Sequence, residues 1–549
     1  MNLIETIFSQ IEKDPYKYSP YEDAFSAIRN LESTDSFSAH SYSAGLRAKI
    51  LPVLNHPDLF DQFYHLYKRT LLFDAPVDFD SFCLYLEINR DPEKRFYQPR
   101  RKVLKRMADS LQKLADDQLD ELFISCPPRI GKSTILLFFV LWCMGRNTDS
   151  SNLYVSFSGI VTKIFYDGVL EVLDDPFTYT YSEIFPKAKK AGTDSKDLLL
   201  DLEREKRYKS LTCRSIDGTL NGACDCSGIL IADDLISGID EALSVDRLES
   251  KWMTVDNNML PRAKETAKIL WLGTRWSIID PIAKRQDILK NEEKYKTRRF
   301  EIIEIPALNE KDESNFDYAF NLGFSTEYYH QRRASFERNN DMASWDAQYM
   351  QKPIERKGAL FTSGDMRYFN GVLPEREPDR IFMVVDPAFG GGDYVAAPVC
   401  YQYDEDIYIP GVVYNDGDKT VTIPLLGEAA INYGVTTLQG EANVTIQSYF
   451  NELSDWLKKK QYRMTIRTKP APTNKSKVLR IYDAAPDIRE HMIFLASGYR
   501  DKSYEMFMQN VFSFKVAGGN KHDDAPDSLC MAINYFKEPY LLQVFKRPF

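Results

Sequence analysis

A lysine and two hydroxyl residues follow a glycine at the start of an apolar segment, in the stretch CPPRIGKSTILLFF. The apolar run LFIS lies directly before this stretch. A strand, a turn with free backbone N–H groups and a helix that begins at the phosphates together form a P-loop, which binds a nucleoside triphosphate. In this arrangement the turn at Gly131 surrounds the phosphates, Lys132 reaches the β- and γ-phosphates, and Ser133 binds Mg²⁺. Thr134 is the next nucleotide-contacting position.

The turn departs from the usual P-loop pattern at its first position. Cys126 stands where G-x-x-x-x-G-K-[ST] begins with glycine, and two prolines follow it. The turn is therefore stiffened, and an ordinary polar turn between a strand and a helix is the alternative interpretation. Arg129 lies inside the turn, where a guanidinium can neutralise transition-state charge within the same chain. A surface ion pair is the alternative for this arginine.

Two further apolar runs end in polar residues that suit nucleotide hydrolysis. GILIAD ends at Asp233 and is followed by Asp234. In P-loop ATPases the first such acid holds Mg²⁺ through water, and the second polarises the attacking water. The second acid is usually Glu, and a helix cap or a solvated turn is the alternative for the pair. KILWLG is followed by Thr274, where a polar residue can sense the γ-phosphate, and by Arg275, a weaker candidate for charge stabilisation.

Acidic residues at three distant places predict a second site. RIFMVV delivers Asp386 into a turn, and a second apolar stretch delivers Glu441. Asp523 and Asp524 stand at a predicted helix start, and Asp527 shares a helix face with Asp524. Acids brought together from two strands and a helix suit two-metal phosphodiester cleavage, because hard Mg²⁺ or Mn²⁺ ions prefer carboxylate oxygens. Each acid alone could instead cap a turn, face solvent or cap a helix.

These residues require an α/β framework. Apolar runs alternate with amphipathic segments up to about residue 310, which predicts βαβ units around a mainly parallel sheet. The predicted strands of this sheet are Leu122–Ser125, Asn152–Ser158, Gly228–Asp233, Lys268–Gly273 and Phe300–Leu308. A second domain opens with three strand-like runs between residues 380 and 415. The order strand Asp, strand Glu, helix Asp is the one that a ribonuclease-H-like fold presents.

The net charge, the cysteine pattern and the length of the apolar runs limit which kinds of protein this chain can be. The chain has 549 residues and a formal net charge of -10, so DNA contacts must use local basic patches such as the stretch 457–481. A solvated lysine-rich face is the alternative for that stretch. The eight cysteines form no Cys-x-x-Cys pair, and the longest apolar run is too short to span a membrane. With no signal peptide at the N-terminus, we expect a cytoplasmic enzyme.

The ordered motifs resemble those of the large terminase subunit of tailed bacteriophages, a DNA-packaging motor ATPase and nuclease. The motifs that carry the resemblance, between about residues 95 and 535, are PPRIGKS, ILIADD, GTRW, QYMQKP…GALF, VVDPA, GEAN, NKSKVLRI and KHDDAPDSL. The fold it implies is an ASCE-type P-loop ATPase domain followed by a ribonuclease-H-like nuclease domain. The implied cofactors are ATP and Mg²⁺, with Mg²⁺ or Mn²⁺ at the nuclease site.

The resemblance also assigns roles to residues. Lys132 and Ser133 would bind triphosphate and Mg²⁺, and Thr274 would couple hydrolysis to motion. Gln98, in FYQPRRKVL, would contact adenine. Asp233 would hold Mg²⁺ through water, and Asp234 would act as the base. The nuclease metals would be bound by Asp386, Glu441 and Asp524, with Asp523 and Asp527 as near neighbours. Which of Asp523 and Asp524 is the ligand stays open.

Domains and partners follow from the same resemblance. We expect a mostly helical adapter region at 1–95, the ATPase domain at 96–345, a linker at 346–372 and the nuclease domain at 373–549. The partners would be double-stranded DNA, a small terminase subunit, the portal protein of the procapsid and further copies of the chain in a ring. The protein would work in the host cytoplasm, docked transiently on the portal, and no membrane is involved.

Two other functions remain open. An ATP-dependent helicase–nuclease of repair or recombination would need further helicase motifs and a second motor lobe, and the segment 276–372 contains neither. A non-catalytic scaffold that binds ATP without turnover is the second alternative, and it stays open because of the departures at Cys126 and Asp234.

Overall fold

The structure, a computed structural model, describes residues 3–220, 222, 224–338, 341–354, 359–387, 394–441, 447–470, 475–516, 520 and 522–538. The chain divides into two compact units. The first unit comprises Met1–Ser237 and Leu248–Ile354, and the second comprises Gly238–Arg247 and Glu355–Phe549. The chain therefore leaves the first unit after Ser237, three residues beyond Asp234, and returns to it at Leu248.

Helices occupy the start of the first unit. They are α1 (Leu3–Lys13), α2 (Ser19–Leu31), α3 (Ser36–Val53), α4 (Pro57–Asp74), α5 (Phe79–Leu86) and α6 (Tyr97–Ala115). Helices α1 to α4 bury apolar faces against each other in a small core of their own. Helix α5 instead joins the main core of the unit, together with α6. The Trp142 indole N–H there donates to the Ala75 carbonyl at 2.9 Å.

The first unit contains an eight-stranded sheet. Its strands are β1 (Glu121–Ser125), β2 (Asn152–Ser156), β3 (Lys190–Asp194), β4 (Leu199–Leu202), β5 (Leu211–Ser215), β6 (Ile229–Asp233), β7 (Lys268–Gly273) and β8 (Phe300–Glu304). Its remaining helices are α7 (Lys132–Arg146), α8 (Gly159–Asp174), α9 (Tyr181–Ile184), α12 (Pro281–Asn291), α13 (Thr326–Arg338) and α14 (Met342–Gln348). Helix α10 (Ile239–Ala242) belongs to the second unit, and α11 (Val245–Thr254) begins in the second unit and belongs to the first from Leu248 onward. The strand order is β3-β4-β5-β2-β6-β7-β1-β8.

The order of the central strands defines the fold class. Strands β5, β2, β6, β7, β1 and β8 are all parallel, so their carboxyl ends meet at one edge. Strand β7 lies between the strand before the P-loop turn and the strand that ends in two acids. This inserted strand is characteristic of ASCE-type P-loop folds, and the predicted fold class is confirmed. The sequence did not predict the β3–β4 hairpin or β5.

The second unit contains a seven-stranded mixed sheet. Its strands are β9 (Arg367–Phe369), β10 (Arg380–Val385), β11 (Val395–Tyr403), β12 (Asp406–Asn415), β13 (Thr437–Glu441), β14 (Thr465–Lys469) and β15 (Met492–Leu495). Its other helices are α15 (Lys419–Asn432), α16 (Gln447–Lys459), α17 (Lys477–His491), α18 (Lys502–Ser513) and α19 (Asp524–Phe536). The order β14-β13-β10-β11-β12, with β10 to β12 antiparallel and β13 and β14 parallel to β10, is that of a ribonuclease-H-like fold.

The short segment 238–247 has its own contacts inside the second unit. The Ser476 hydroxyl, at the N-terminus of α17, donates a hydrogen bond to the Asp240 carboxylate. Leu243 is buried against Leu479 of α17 and Val516. Within the described residues of both units, no helix is long and apolar enough to cross a membrane.

Candidate active sites

The P-loop turn joins β1 to α7, as the sequence predicts. Gly131 precedes the helix with a φ of 101°, which L side chains rarely adopt. A Cβ atom at this position would lie 2.5 Å from the Phe96 ring, so the residue must be glycine on two grounds. Ser133 is exposed and Thr134 is half-buried in the first turn of α7, where helix N–H groups have no intrahelical partner. This helix start can receive an anion.

The Lys132 ammonium is buried at the carboxyl edge of the sheet. Its Nζ donates to the Thr274 hydroxyl at 2.6 Å and lies 3.4 Å from the Cys126 carbonyl. It also lies 3.4 Å from the Asp234 carboxylate. Burial lowers the pKa of Lys132, but the combined attraction of Asp234, Cys126 and Asp233 outweighs burial, and the pKa is raised. Lys132 is therefore a fully charged ammonium at neutral pH.

Asp234 is fixed by the neighbouring strand. The Thr274 backbone N–H donates to its carboxylate at 2.7 Å, and its own N–H donates to the Leu272 carbonyl at 2.9 Å. Its φ of 40° lies in the left-handed region, which is strained for an aspartate at a strand end. Three candidate residues, Lys132 at the start of α7 and Asp234 and Thr274 directly after two strands, are thus in direct contact.

Asp233 lies deeper than Asp234 and contacts a different strand. The Tyr154 hydroxyl, from β2, donates to the Asp233 Oδ2 at 2.7 Å. The other carboxylate oxygen is buried and has no hydrogen-bond partner among the described residues. Burial, followed by repulsion from Asp234, raises the pKa of Asp233. A buried acid with an unpartnered oxygen at this edge suits a hydrated cation.

The other nucleotide-site candidates lie around the turn. Arg129 is exposed with a φ of 65° and lines a cavity of about 350 Å³ together with Tyr328 and Arg332. Gln98 is exposed in the first turn of α6, and its side-chain oxygen accepts from Arg95. Arg275 is buried and paired with Asp280 at 3.1 Å, which leaves it little freedom to reach a substrate.

In the second unit, two adjacent parallel strands end in acids. Val385 of β10 lies beside Gly440 of β13, so Asp386 and Glu441 follow at the same edge. Asp386 pairs with Ala396 through two backbone hydrogen bonds, which fixes its direction after the strand ends.

Helix α19 brings the remaining acids to the same place, and a lysine joins them. Asp523 is the residue before the helix, and Asp524 and Asp527 lie in its first turn. Their common neighbour is the Lys477 ammonium, which lies 2.9 Å from Asp523, 3.5 Å from Asp386 and from Asp527, and 3.7 Å from Asp524. The four aspartates predicted from the sequence therefore surround one cation.

Arg480 contacts the fifth acid. One guanidinium nitrogen lies 3.4 Å from Glu441 and another lies 3.4 Å from Asp527. Lys477 and Arg480 are three residues apart on α17, so they share a helix face. This face presents two cations to all five predicted acids.

Burial changes the acidity of this cluster. Burial raises the pKa of Asp386 to about 7, against the opposing effect of Lys477. Burial likewise raises the pKa of Asp527 to about 6, opposed by Lys477 and Arg480. One oxygen of Asp527 is buried without a hydrogen-bond partner among the described residues. Asp386 is therefore partly protonated at neutral pH unless further positive charge enters the cluster.

The positions of these acids bear on whether they can hold a metal ion. Over the described residues, no three Asp, Glu, His or Cys side chains are arranged to hold a metal ion. The carboxylates point at the Lys477 ammonium instead. Their donor chemistry nevertheless fits a hard divalent cation, since all five are oxygen donors and Asp527 keeps an unpartnered oxygen.

Sequence reasoning assigned no role at either site to three residues that contact the candidate acids. Lys477 and Arg480 were placed in a DNA-contacting basic stretch, yet in the structure both face the acids. The signal was available, because Ser476 caps the helix through the Leu479 N–H and the two cations follow at helical spacing. Tyr154 carried no signal beyond its place in a strand next to the acid-bearing strand.

No protein-family model matches the sequence, and no curated protein matches it. Solved structures do match. The structure is similar to those of large terminases. The large terminase of a thermophilic bacteriophage is 10% identical, with 77% of this chain and 98% of that chain covered and a TM-score of 0.40. The bacteriophage HK97 large terminase is 7% identical, with 78% and 94% covered and a TM-score of 0.31. The human cytomegalovirus terminase nuclease domain is 10% identical, with 33% and 96% covered and a TM-score of 0.27.

Proposed function

We propose that this chain is a viral DNA-packaging terminase large subunit, which hydrolyses ATP to move double-stranded DNA into a procapsid and cuts concatemeric DNA with a metal-dependent nuclease. The observation that carries the proposal is the occurrence of two sites in one chain. An ASCE-type sheet brings Lys132, Asp234 and Thr274 into contact, and a ribonuclease-H-like sheet gathers five acids. A motor and a nuclease together suit a protein that both moves and cuts DNA.

In the proposed motor, Lys132 exchanges the Thr274 hydroxyl for the β- and γ-phosphates. Asp234, held by the Thr274 N–H, accepts a proton from the water that attacks the γ-phosphorus. Loss of the γ-phosphate returns Lys132 to Thr274, so the end of β7 senses the nucleotide state. Ser133 and Asp233 are the residues that would hold Mg²⁺, and Arg129 would neutralise transition-state charge. Gln98 would contact the adenine.

In the proposed nuclease, Asp386, Glu441 and Asp524 would hold Mg²⁺ or Mn²⁺, with Asp523 and Asp527 beside them. A divalent ion bound there would supply an activated water and offset charge on the leaving oxygen. Lys477 and Arg480 offset part of the negative charge of the acids when no metal is bound, and they would contact the phosphate of a DNA strand when a metal takes over the acids.

The proposed partners are double-stranded DNA, a small terminase subunit and the portal protein of the procapsid. In this proposal several copies form a ring while packaging, and the protein works in the host cytoplasm. The formal charge of -10 means that DNA would meet local basic patches and not a uniformly basic surface.

Digestion of a supercoiled plasmid tests the nuclease, with Mg²⁺ and Mn²⁺ in separate reactions and the metal chelated in a third. We expect the wild-type protein to cut only with metal, and Asp386→Ala to cut at least about a hundred-fold more slowly. ATP hydrolysis by the same Asp386→Ala preparation is the control for folding and should stay within about two-fold of wild type. Cutting by the variant would show that the metal site is misplaced.

ATP turnover and strand separation discriminate between the proposal and its two alternatives. Hydrolysis that is absent in the wild type would favour a non-catalytic scaffold. Unwinding of a forked DNA substrate in solution would favour a helicase–nuclease. ATP-dependent uptake of linear duplex into procapsids, without unwinding, is the result that the proposal requires.

A further inference from the structure

Among the described residues, the Asp233 carboxylate accepts a hydrogen bond from one side chain, that of Tyr154. Tyr154 lies on β2 and Asp233 ends the adjacent parallel strand β6. Tyr154 pairs with Ile231, and Ser156 pairs with Asp233. Because side chains alternate along a strand, Tyr154 and Asp233 point to the same face of the sheet and are diagonal neighbours. The phenol therefore reaches the carboxylate without leaving its own strand.

The carboxylate is bound on one side only. The Tyr154 hydroxyl donates to Oδ2 at 2.7 Å. Oδ1 has no partner among the described residues, although Asp233 is only 1% exposed. The hydroxyl of Ser156, directly across the strand pair, is also buried and, among the residues described, unpartnered. A hydrogen bond to a single oxygen fixes the carboxylate plane and leaves the second oxygen for a ligand.

The tyrosine ring cannot move to follow the carboxylate. It stacks on Phe165 of α8, with ring centroids 3.8 Å apart and an angle of 2° between the planes. Tyr154 is fully buried and Phe165 nearly so. The donor is thus fixed by packing, and the acid has to adopt the orientation that the donor dictates.

We propose that Tyr154 is a positioning residue for the ATPase site, which orients Asp233 so that its free oxygen receives the hydrated Mg²⁺ of the Mg²⁺–ATP complex. This inference rests on the proposed function of the first unit. It assigns a role to a residue outside the P-loop and the two-acid motif. Hydrogen bonds that orient a metal-binding carboxylate typically change metal affinity by about 10- to 100-fold when they are removed.

The test is Tyr154→Phe, which keeps the ring and its stacking and removes only the donor. Binding of a fluorescent ATP analogue is titrated with EDTA and then over a range of Mg²⁺ concentrations. Without Mg²⁺ the analogue should bind wild type and variant within about two-fold, because Lys132 and the turn are unchanged. The Mg²⁺ concentration that gives half of the metal-dependent gain in affinity should rise at least about ten-fold in the variant.

Tyr166→Phe is the matched control. Tyr166 is buried in the same unit, and its hydroxyl donates to the Leu199 carbonyl at 3.0 Å, away from both acids. It should leave the Mg²⁺ titration unchanged. Steady-state hydrolysis adds a second measurement, in which Tyr154→Phe should raise the half-saturating Mg²⁺ concentration while kcat at saturating Mg²⁺ stays within about three-fold.

The outcomes are distinct. An unchanged Mg²⁺ titration in a folded Tyr154→Phe protein overturns the inference and leaves the proposed function standing, as does an equal shift in Tyr166→Phe. Failure of wild type to bind the analogue at any Mg²⁺ concentration overturns the proposed function and this inference with it. Circular dichroism and the melting temperature of each variant establish that the proteins compared are folded.

Discussion

Each unit places a lysine ammonium at its candidate site, but the two lysines have different surroundings. Lys132 contacts a hydroxyl, a carbonyl and one carboxylate. Lys477 lies within 3.7 Å of four carboxylates. In the second unit five acids face two cations, which leaves three excess negative charges when all are ionised. The charge at the first site therefore suits the binding of a polyanion, and the charge at the second site suits the binding of cations.

The largest expected effect concerns the first lysine. Lys132→Ala removes the cation that would reach the β- and γ-phosphates, so ATP hydrolysis should fall on the order of a thousand-fold. A coupled phosphate-release assay measures it. Metal-dependent plasmid cutting by the same variant should be unchanged, because the second unit keeps its own cluster. Hydrolysis near the wild-type rate would show that this lysine has only a structural role.

Asp234→Asn should separate binding from turnover in the first unit. The amide keeps an oxygen that accepts the Thr274 N–H but cannot take a proton from water, so kcat should fall by about 10²- to 10³-fold. Nucleotide affinity, measured by isothermal titration calorimetry, should stay within about three-fold of wild type. Loss of binding would instead mean that the acid holds the loop in shape.

Lys477→Met should lower the stability of the protein when no metal is bound, and added metal should reduce this loss. Without the ammonium the aspartates repel one another, so the metal-free variant should lose about 1–3 kcal/mol of unfolding free energy at pH 8. Millimolar Mg²⁺ should restore much of this loss, because a divalent ion replaces the missing charge. Thermal melts with EDTA and with Mg²⁺ measure both values. Lys475→Met is the matched control, since that lysine pairs with Asp483 at the surface. Equal losses with and without Mg²⁺ would contradict the comparison.

The smallest effect concerns the acidity of Asp386. Burial raises its pKa to about 7, so the folded protein holds this proton at a pH where the unfolded chain has lost it. The resulting stability is present at about pH 4 and is lost as the pH rises through about 7. Asp386→Asn removes the titration, so in EDTA the variant should be more stable than wild type by about 1–2 kcal/mol at pH 8 and similar at pH 4. Urea unfolding at both pH values measures this. A variant that is less stable at pH 8 would mean that pairing with Lys477 outweighs burial.

Sequence reasoning predicted the strands that carry the chemistry, for physical reasons. Strands β1, β6 and β7 are nearly continuous apolar runs because both faces of a parallel sheet are covered, and each ends at a polar residue or directly before one. Strands β3 and β4 escaped prediction because β3 is exposed along its whole length, β4 is partly exposed, and the pattern KAGTD in β3 has no apolar alternation. Their pairing is set by the sheet and not by their own residues.

The candidate site residues were predictable as a set, but their partners were not. Asp386, Glu441 and Asp527 are separated by long stretches of sequence, and only the fold shows that Lys477 and Arg480 lie among them. A lysine-rich stretch suggests a solvated or DNA-facing surface, and within it Lys475 and Lys469 do form exposed ion pairs. Whether a lysine of this stretch faces the acids, as Lys477 does, or the surface, as Lys475 does, depends on where α17 begins.

Residues 238–247 belong to the second unit although the first unit continues after them, and this limits how the chain can be cut into fragments or exchanged by recombination. A fragment beginning at residue 355 would lack Asp240 and Leu243, so the cap of α17 would lose its carboxylate and Leu479 its cover. The helix that presents Lys477 and Arg480 would then start without its support. A single crossover near residue 355 would separate the segment 238–247 from the rest of the second unit, so it could not exchange that unit intact.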